Sequence, residues 1–421
     1  MFTISRIAAR EILDSRGRPT LEVSCEPASG ERAIASVPSG ASTGKAEALE
    51  LRDGDPSRYS GLGCLKAVAN VNGAIAKAVE NQKFDSQSTF DHRLIALDGS
   101  ENKSRLGANA ILACSIAFAR ACAVRRDLPL YAHFASLVGE QAKSLPRMTI
   151  NLFSGGKHAG GQVEIQDVLI VPLAPTIADG LAQAHAVYYA AAQLIRDKYN
   201  MRLLRADEGG LAPPAESIEA MLEDAVESIR RAGLESGLDV ALAIDVASSQ
   251  FYSGGVYRIK DESLGSGELI ELISRWKAKF PIVSVEDALA EDDWANWPAL
   301  FSAIGDRALV LGDDFLCTNP ARIKRAIESR CASALLLKVN QIGTLTEAAE
   351  ARRLARSAGW SITVSARSGE TEDDWLADLA VAWGDQIKVG SITQSERLAK
   401  YNRLLEIESQ TQWPTNRWPL H

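Results

Sequence analysis

The spacing of apolar and polar positions changes character once along the chain. Up to about residue 137 it is mixed. Residues 20–25 (Thr-Leu-Glu-Val-Ser-Cys) alternate between apolar and polar, which predicts a strand with one buried face. Residues 107–126 are rich in alanine, with larger apolar residues at helical spacing, and predict a helix. Between them lies a loop of small residues, Ser39-Gly40-Ala41-Ser42-Thr43-Gly44. A polar stretch over 139–146 ends in proline, a natural place for a boundary. The expected organisation is an N-terminal α+β domain, 1–137, followed by a second domain, 138–421.

Past that boundary, short apolar runs rich in β-branched residues recur, and most stop abruptly at a charge. The runs over 240–244, 281–285, 308–312, 334–337, 361–365 and 386–387 meet Asp245, Glu286, Asp313, Lys338, Arg367 and Lys388. Those charges lie 41, 27, 25, 29 and 21 residues apart. A strand–helix unit takes about 30 residues, so the spacing predicts repeated βα units. Continuous apolar runs suit strands covered on both faces. The expected fold class is α/β, with the second domain a (β/α)8-like barrel. In such a barrel the C-terminal strand ends converge on one face, where active sites sit. One polar strand end is ordinary, because strands leave the core there. Six in succession, reading Asp, Glu, Asp, Lys, Arg, Lys, build one site of interleaved charge.

Composition narrows the chemistry. At 421 residues the chain is long enough for two cores. Its 46% hydrophobic and 24% charged residues are those of a soluble globular protein. The formal charge of −8 argues against a nucleic-acid surface. No apolar run suggests a membrane span, and the N-terminal residues carry no leader pattern, so no membrane partner and no secretion are expected. Six scattered cysteines without a CxxC pair read as the reduced thiols of a cytoplasmic protein. The five histidines, including His421, show no i, i+3 or i, i+4 pair, which disfavours zinc. A metal must then use oxygen ligands, which points to Mg²⁺. Asp245, Glu286 and Asp313 form the expected nest for it. Lys338, near such an ion, could lose its proton more easily than a free lysine and act as a base for a proton α to a carboxylate. An acid for a departing hydroxyl is offered by Glu208 in Asp207-Glu208-Gly209-Gly210, whose glycines allow a tight loop.

These residues resemble the enolase family nearly end to end. Its opening is similar to Ala9-Arg10-Glu11-Ile12-Leu13-Asp14-Ser15-Arg16-Gly17. Its mobile loop is similar to Pro38-Ser39-Gly40-Ala41-Ser42-Thr43-Gly44 with Glu47-Ala48-Leu49-Glu50-Leu51-Arg52-Asp53-Gly54-Asp55. Residues 98–104 and 106–112, Asp207-Glu208-Gly209-Gly210, Leu337-Lys338-Val339-Asn340-Gln341-Ile342-Gly343 and Arg367-Ser368-Gly369-Glu370-Thr371-Glu372-Asp373 continue the likeness. The resemblance implies an enolase-type barrel and the reversible dehydration of 2-phosphoglycerate to phosphoenolpyruvate. It implies Asp245, Glu286 and Asp313 as Mg²⁺ ligands, Lys338 as base and Glu208 as acid. Lys388 would hold the substrate carboxylate, Arg367 and Ser368 the phosphate, and Ser39 a second Mg²⁺ as its loop closes. His158, Gln166 and Asp167 match other pocket positions. The lysine-plus-Mg²⁺ pairing is itself a known trait of enolase-superfamily sites. A homodimer or larger homo-oligomer is also implied.

Two positions depart from the family pattern. Ala366 stands where a histidine usually precedes the Arg-Ser pair, and Asp167 where a glutamate usually follows the pocket glutamine. The stretch 154–161 is also less typical. All lie at the phosphate and hydroxyl end of the expected substrate. They leave two further readings open: a paralogue acting on another small phospho- or phosphonocarboxylate, such as a carboxyphosphonoenolpyruvate synthase-like enzyme, or a non-catalytic binding protein of the same fold.

Overall fold

The computed structural model describes residues 2–28, 30, 32–40 and 44–418. Ala41, Ser42 and Thr43 of the expected loop, and His421, lie outside the described residues.

The N-terminal region is built on a sheet of β1 (Phe2–Leu13), β2 (Pro19–Pro27), β3 (Ala33–Ser36) and β4 (Lys83–Phe84), in the order β3-β2-β1-β4 and antiparallel throughout. Leu21, Val23 and Cys25 of β2 are fully buried. The expected polar face of this strand is largely buried too, because β2 is central. Thr20 and Ser24 satisfy their hydroxyls on the carbonyls of Val37 and Ala8. The helix Ala108–Arg125 packs on this sheet with fifteen of its eighteen residues buried. By length and composition alone it could cross a membrane, but protein surrounds it, as in a core helix.

The second region is a closed eight-stranded barrel. It opens with β5 (Arg147–Ser154), β6 (Asp167–Pro172) and β7 (Val240–Asp245). A small antiparallel sheet of β8 (Tyr252–Ser253), β9 (Val256–Ile259) and β10 (Glu262–Leu264) branches off. The barrel resumes with β11 (Ile282–Glu286), β12 (Leu309–Gly312), β13 (Ala334–Leu337), β14 (Ser361–Ser365) and β15 (Gln386–Gly390). The six predicted strands are β7 and β11–β15, all mutually parallel where they pair and all buried along most of their length.

The other two strands differ from a uniform βα repeat. β5 and β6 form a hairpin, and β6 runs antiparallel to both its neighbours. The connection over 155–166 contains four glycines and makes turns, not a crossover helix. Two helices, Ile177–Tyr199 and Ile218–Arg231, then precede β7. The barrel is thus two strands and two helices followed by six βα units.

Side chains alternate between the barrel interior and the surrounding helices with period two. Ala241 and Ala243, Leu309 and Leu311, and Ala334 and Leu336 pack together inside. Their neighbours Leu242, Val310 and Leu335 face the helices. Continuing each inward register by two residues arrives at Asp245, Asp313 and Lys338. On β11 a bulge between Ile282 and Ser284 resets the phase, so Glu286 pairs with Asp245 at the same level. The helices between these strands start on local caps. Asn319 accepts from the amides of Ala321 and Arg322 ahead of Pro320. Thr344 accepts from Glu347 at the start of Leu345–Ser357.

Candidate active site

The barrel mouth is organised around two buried lysines. Lys388, in β15, places Nζ 2.8 Å from Asp245 Oδ2 and 2.8 Å from Glu286 Oε2. Lys338, just past β13, donates to Asp313 Oδ2. Asp313 is further held by Gln341 Nε2 at 2.8 Å, and Asp245 by Gln166 Nε2 at 3.0 Å. Asp287 follows Glu286 and accepts the amides of Asp313 and Asp314, which fixes the turn carrying Asp313.

Burial and neighbours set the charges here. Burial pushes the Glu286 carboxyl up, nearby Asp245 adds to this, and Lys388 only partly opposes it, so it lies well above the usual range. Burial alone would lower both lysines, but the carboxylates outweigh it. Asp245 and Glu286 raise Lys388 well above its ordinary value, and Asp313 raises Lys338. Burial would raise Asp313, but Lys338 pulls it below its ordinary value. Asp313 is thus the direct partner of the Lys338 ammonium in this geometry, whereas the expected easing of its proton loss is tied to a divalent ion nearby.

The three carboxylates expected to hold a metal share one end of the barrel, with lysine ammoniums interleaved among them. Among the described residues, the groups whose ligand atoms all come within 4.8 Å of one another are not this triad but Asp287, Asp313 and Asp314, which shares Asp313 with it, and His158, Asp167 and Glu208. Asp245 and Glu286 are separated by the Lys388 ammonium between them. Glu286 Oε1 is buried with no hydrogen-bond partner among the described residues. A buried carboxylate oxygen left unpaired is a poor structural element and a good cation ligand. The donor set fits a hard divalent ion.

A second cluster faces the mouth from the β5–β6 hairpin and the loop after it. His158 Nδ1 lies 3.0 Å from Asp167 Oδ2, and its Nε2 lies 3.9 Å from Glu208 Oε1. Asn151 donates to Glu208 Oε2 at 3.1 Å, and Ser154 to Asp167 Oδ1 at 2.6 Å. Burial disfavours the His158 cation, but Asp167 and Glu208 more than offset this and push its pKa up to about 9. Glu208 is pulled below its ordinary value, chiefly by His158 acting against burial. Asp167 is fully buried, with both oxygens engaged, and burial keeps its carboxyl raised despite His158. Its contacts orient His158. Gly209 adopts φ +83, and a Cβ there would come within 2.8 Å of Thr393 Oγ1, so the Glu208 turn needs glycine.

The third part lies where the N-terminal region meets the barrel. Arg367 is buried, with Nη1 3.1 Å from Glu47 Oε2 and 3.0 Å from Asn340 Oδ1. Ser39 and Gly369 exchange backbone hydrogen bonds. Ser39 Oγ donates to Glu50 and accepts from Arg52. Arg16 donates to Ser368 Oγ at 3.1 Å and to the Ser39 carbonyl at 3.0 Å. Ala366 is buried beside this cluster, its amide on the Lys388 carbonyl. Residue-type reasoning missed Asn151 and Asp287. It also gave no role to Arg16, Glu47, Ser154 or Gln341, although these four lie inside stretches named above.

An eight-stranded barrel with acids and lysines interleaved at its mouth, closed by loops of a second region, defines an acid–base enzyme of the barrel class. The description "Enolase, N-terminal domain" matches residues 4–134, and "Enolase, C-terminal TIM barrel domain" matches 142–414. The chain belongs to the enolase family. It is 47% identical over 411 residues to Enolase 1 of Methylococcus capsulatus, covering 96% of this chain and 97% of that protein.

Proposed function

We propose that this chain is a phosphopyruvate hydratase, catalysing the reversible dehydration of 2-phosphoglycerate to phosphoenolpyruvate. The observation that carries this reading is the facing arrangement at the mouth: Lys338 on Asp313 and Lys388 between Asp245 and Glu286, opposite Glu208 and its His158 partner. Asp245, Glu286 and Asp313 would hold Mg²⁺, which supplies positive charge to offset the dianion that builds on the substrate carboxylate. Lys388 would bind the same carboxylate. In the forward direction Lys338 Nζ, once neutral, takes the C2 proton. The C3 hydroxyl then leaves as water with a proton held by the Glu208–His158 pair, and the C2–C3 double bond forms. Arg367 would grip the phosphate by its planar fork, with Ser368 oriented by Arg16. Ser39 would close the site from the N-terminal loop. Asp167 acts by orienting His158.

The test is direct: purified protein with 2-phosphoglycerate and Mg²⁺, following the ultraviolet absorbance of phosphoenolpyruvate. No turnover under saturating conditions would sink the assignment. A paralogue acting on a different phospho- or phosphonocarboxylate keeps one supporting observation, the buried Ala366 beside Arg367, where a histidine would otherwise contact phosphate. The homo-oligomeric state and cytoplasmic setting implied by the resemblance belong to the same proposal, and sedimentation of the native protein tests the first.

A further inference from the structure

A cavity of about 1070 Å³ lies between the N-terminal helices and the barrel helix Leu345–Ser357, and none of the mouth residues line it. Its size lies just above the roughly 300–1,000 Å³ of ordinary small-ligand sites. One wall is aromatic: Phe2 and Phe84 pack edge-on against Phe118, with ring centroids 5.0 and 5.9 Å away. The arginines on the Leu345–Ser357 wall are neutralised in pairs, Arg352 on Glu140, Arg353 on Glu350 and Arg356 on Asp385. Arg125 and Arg126, exposed at the end of Ala108–Arg125, have no carboxylate partner among the described residues. The Arg125 guanidinium lies 5.6 Å over the Phe2 ring.

A second observation points to a ligand. His133 lines this cavity, is 2% exposed, and has no hydrogen-bond partner for either ring nitrogen among the described residues. Gln87 Oε1, in the lining of the same cavity, is also buried and without a hydrogen-bond partner among the described residues. Native interiors rarely leave such groups unsatisfied. Burial, reinforced by Arg126, pushes the His133 pKa down to about 4, so the ring is neutral near pH 7 and offers one N–H and one lone pair.

We propose that this cavity is a second ligand site for a small organic anion, a carboxylate or phosphate on an aromatic-sized apolar body. The body packs on Phe2, Phe84 and Phe118, the anionic group meets Arg125 and Arg126, and His133 supplies a hydrogen bond.

The test uses 8-anilino-1-naphthalenesulfonate, an aromatic sulfonate, on the full chain. Fluorescence titration is expected to give one site per chain, displaced by benzoate or phenyl phosphate, with the stronger displacer identifying the headgroup. Arg125→Glu with Arg126→Glu is expected to weaken binding at least tenfold and to leave turnover of 2-phosphoglycerate unchanged. Nitrogen-15 spectra of the histidine rings, with His133 assigned by His133→Phe, are expected to show its signal moving on addition of the probe. If His133→Phe does not fold, the arginine variant still decides. Binding unaffected by the arginine substitutions, displacement by neither anion, or no binding at all overturns the proposal.

Discussion

Replacing Lys388 with methionine keeps the aliphatic stem and removes the ammonium that bridges Asp245 and Glu286. The ammonium is buried and sits 2.8 Å from each carboxylate. Two carboxylates about 5 Å apart repel by about 3 kcal/mol at an effective dielectric of 20. Breaking a buried ion pair from one side costs about 3–5 kcal/mol. Glu286 has a partial escape, since its carboxyl already lies well above the usual range and can take a proton. The lower end is therefore expected, a loss of about 3 kcal/mol or roughly a hundredfold in the folded-to-unfolded ratio. Urea unfolding with EDTA present, read by barrel tryptophan fluorescence, measures it. Added Mg²⁺ is then expected to narrow the gap between variant and wild type, because a divalent ion can neutralise the same two carboxylates. Equal stability of the two proteins in EDTA would show that the Lys388 bridge carries no net energy. A gap unchanged by Mg²⁺ would show that these carboxylates are not the ion's ligands.

Four further outcomes are expected. Lys338→Ala abolishes exchange of the substrate α-proton with solvent, whereas Glu208→Gln slows dehydration but leaves exchange measurable by deuterium incorporation; equal loss in both would refute the division of roles. Ala366→His adds a charge-assisted hydrogen bond to phosphate worth about 1.5–3 kcal/mol, and so lowers KM for 2-phosphoglycerate about ten- to a hundredfold. No improvement would mean that another group already serves that phosphate or that the position serves a different substrate. The His158 pKa is raised from 6.5 to about 9, so its contribution to stability is full below pH 6.5 and is lost as pH rises through about 9. Urea midpoints between pH 6 and 10 should fall for wild type and stay flatter for His158→Gln. Finally, EDTA should stop turnover and Mg²⁺ restore it.

The strands with the clearest legibility were those that end in a charge. β7, β12 and β13 carry an inward apolar register that runs directly into Asp245, Asp313 and Lys338, and the apolar runs of β11, β14 and β15 likewise stop at Glu286, Arg367 and Lys388, although there the inward positions before the charge are Ser284, Ser365 and Gln386. β5 and β6 escaped because they break both halves of that signal. β5 lines the interior with Thr149 and Asn151 between outward Met148, Ile150 and Leu152, and β6 bears its acid, Asp167, at its first residue. Only pairing in space assigns them to the barrel. The candidate site was legible as a set of residues but not as a set of partners. Nothing in the spacing says that Lys388 lies between two carboxylates, or that Asp167 spends both oxygens on Ser154 and His158. Such contacts depend on the closing of the barrel and on the β11 bulge, which sets Glu286 level with Asp245.

The reversed β6 strand has a consequence for how this enzyme could change. In a regular βα unit a mouth loop is tethered to a helix, so altering its length disturbs the packing of the outer layer. Here the loop bearing His158 joins two adjacent strands and leads into no helix until β6 has crossed the barrel. Its exposed residues between His158 and Gln166 can be varied while the register of Asp167 against Asp245 holds the frame. The acid end of the site is thereby open to remodelling independently of the lysine end, whose residues stand on βα units locked to their helices. Changes over 159–162, which keep His158 and Gln166, are the natural route to altering which leaving group this barrel accepts.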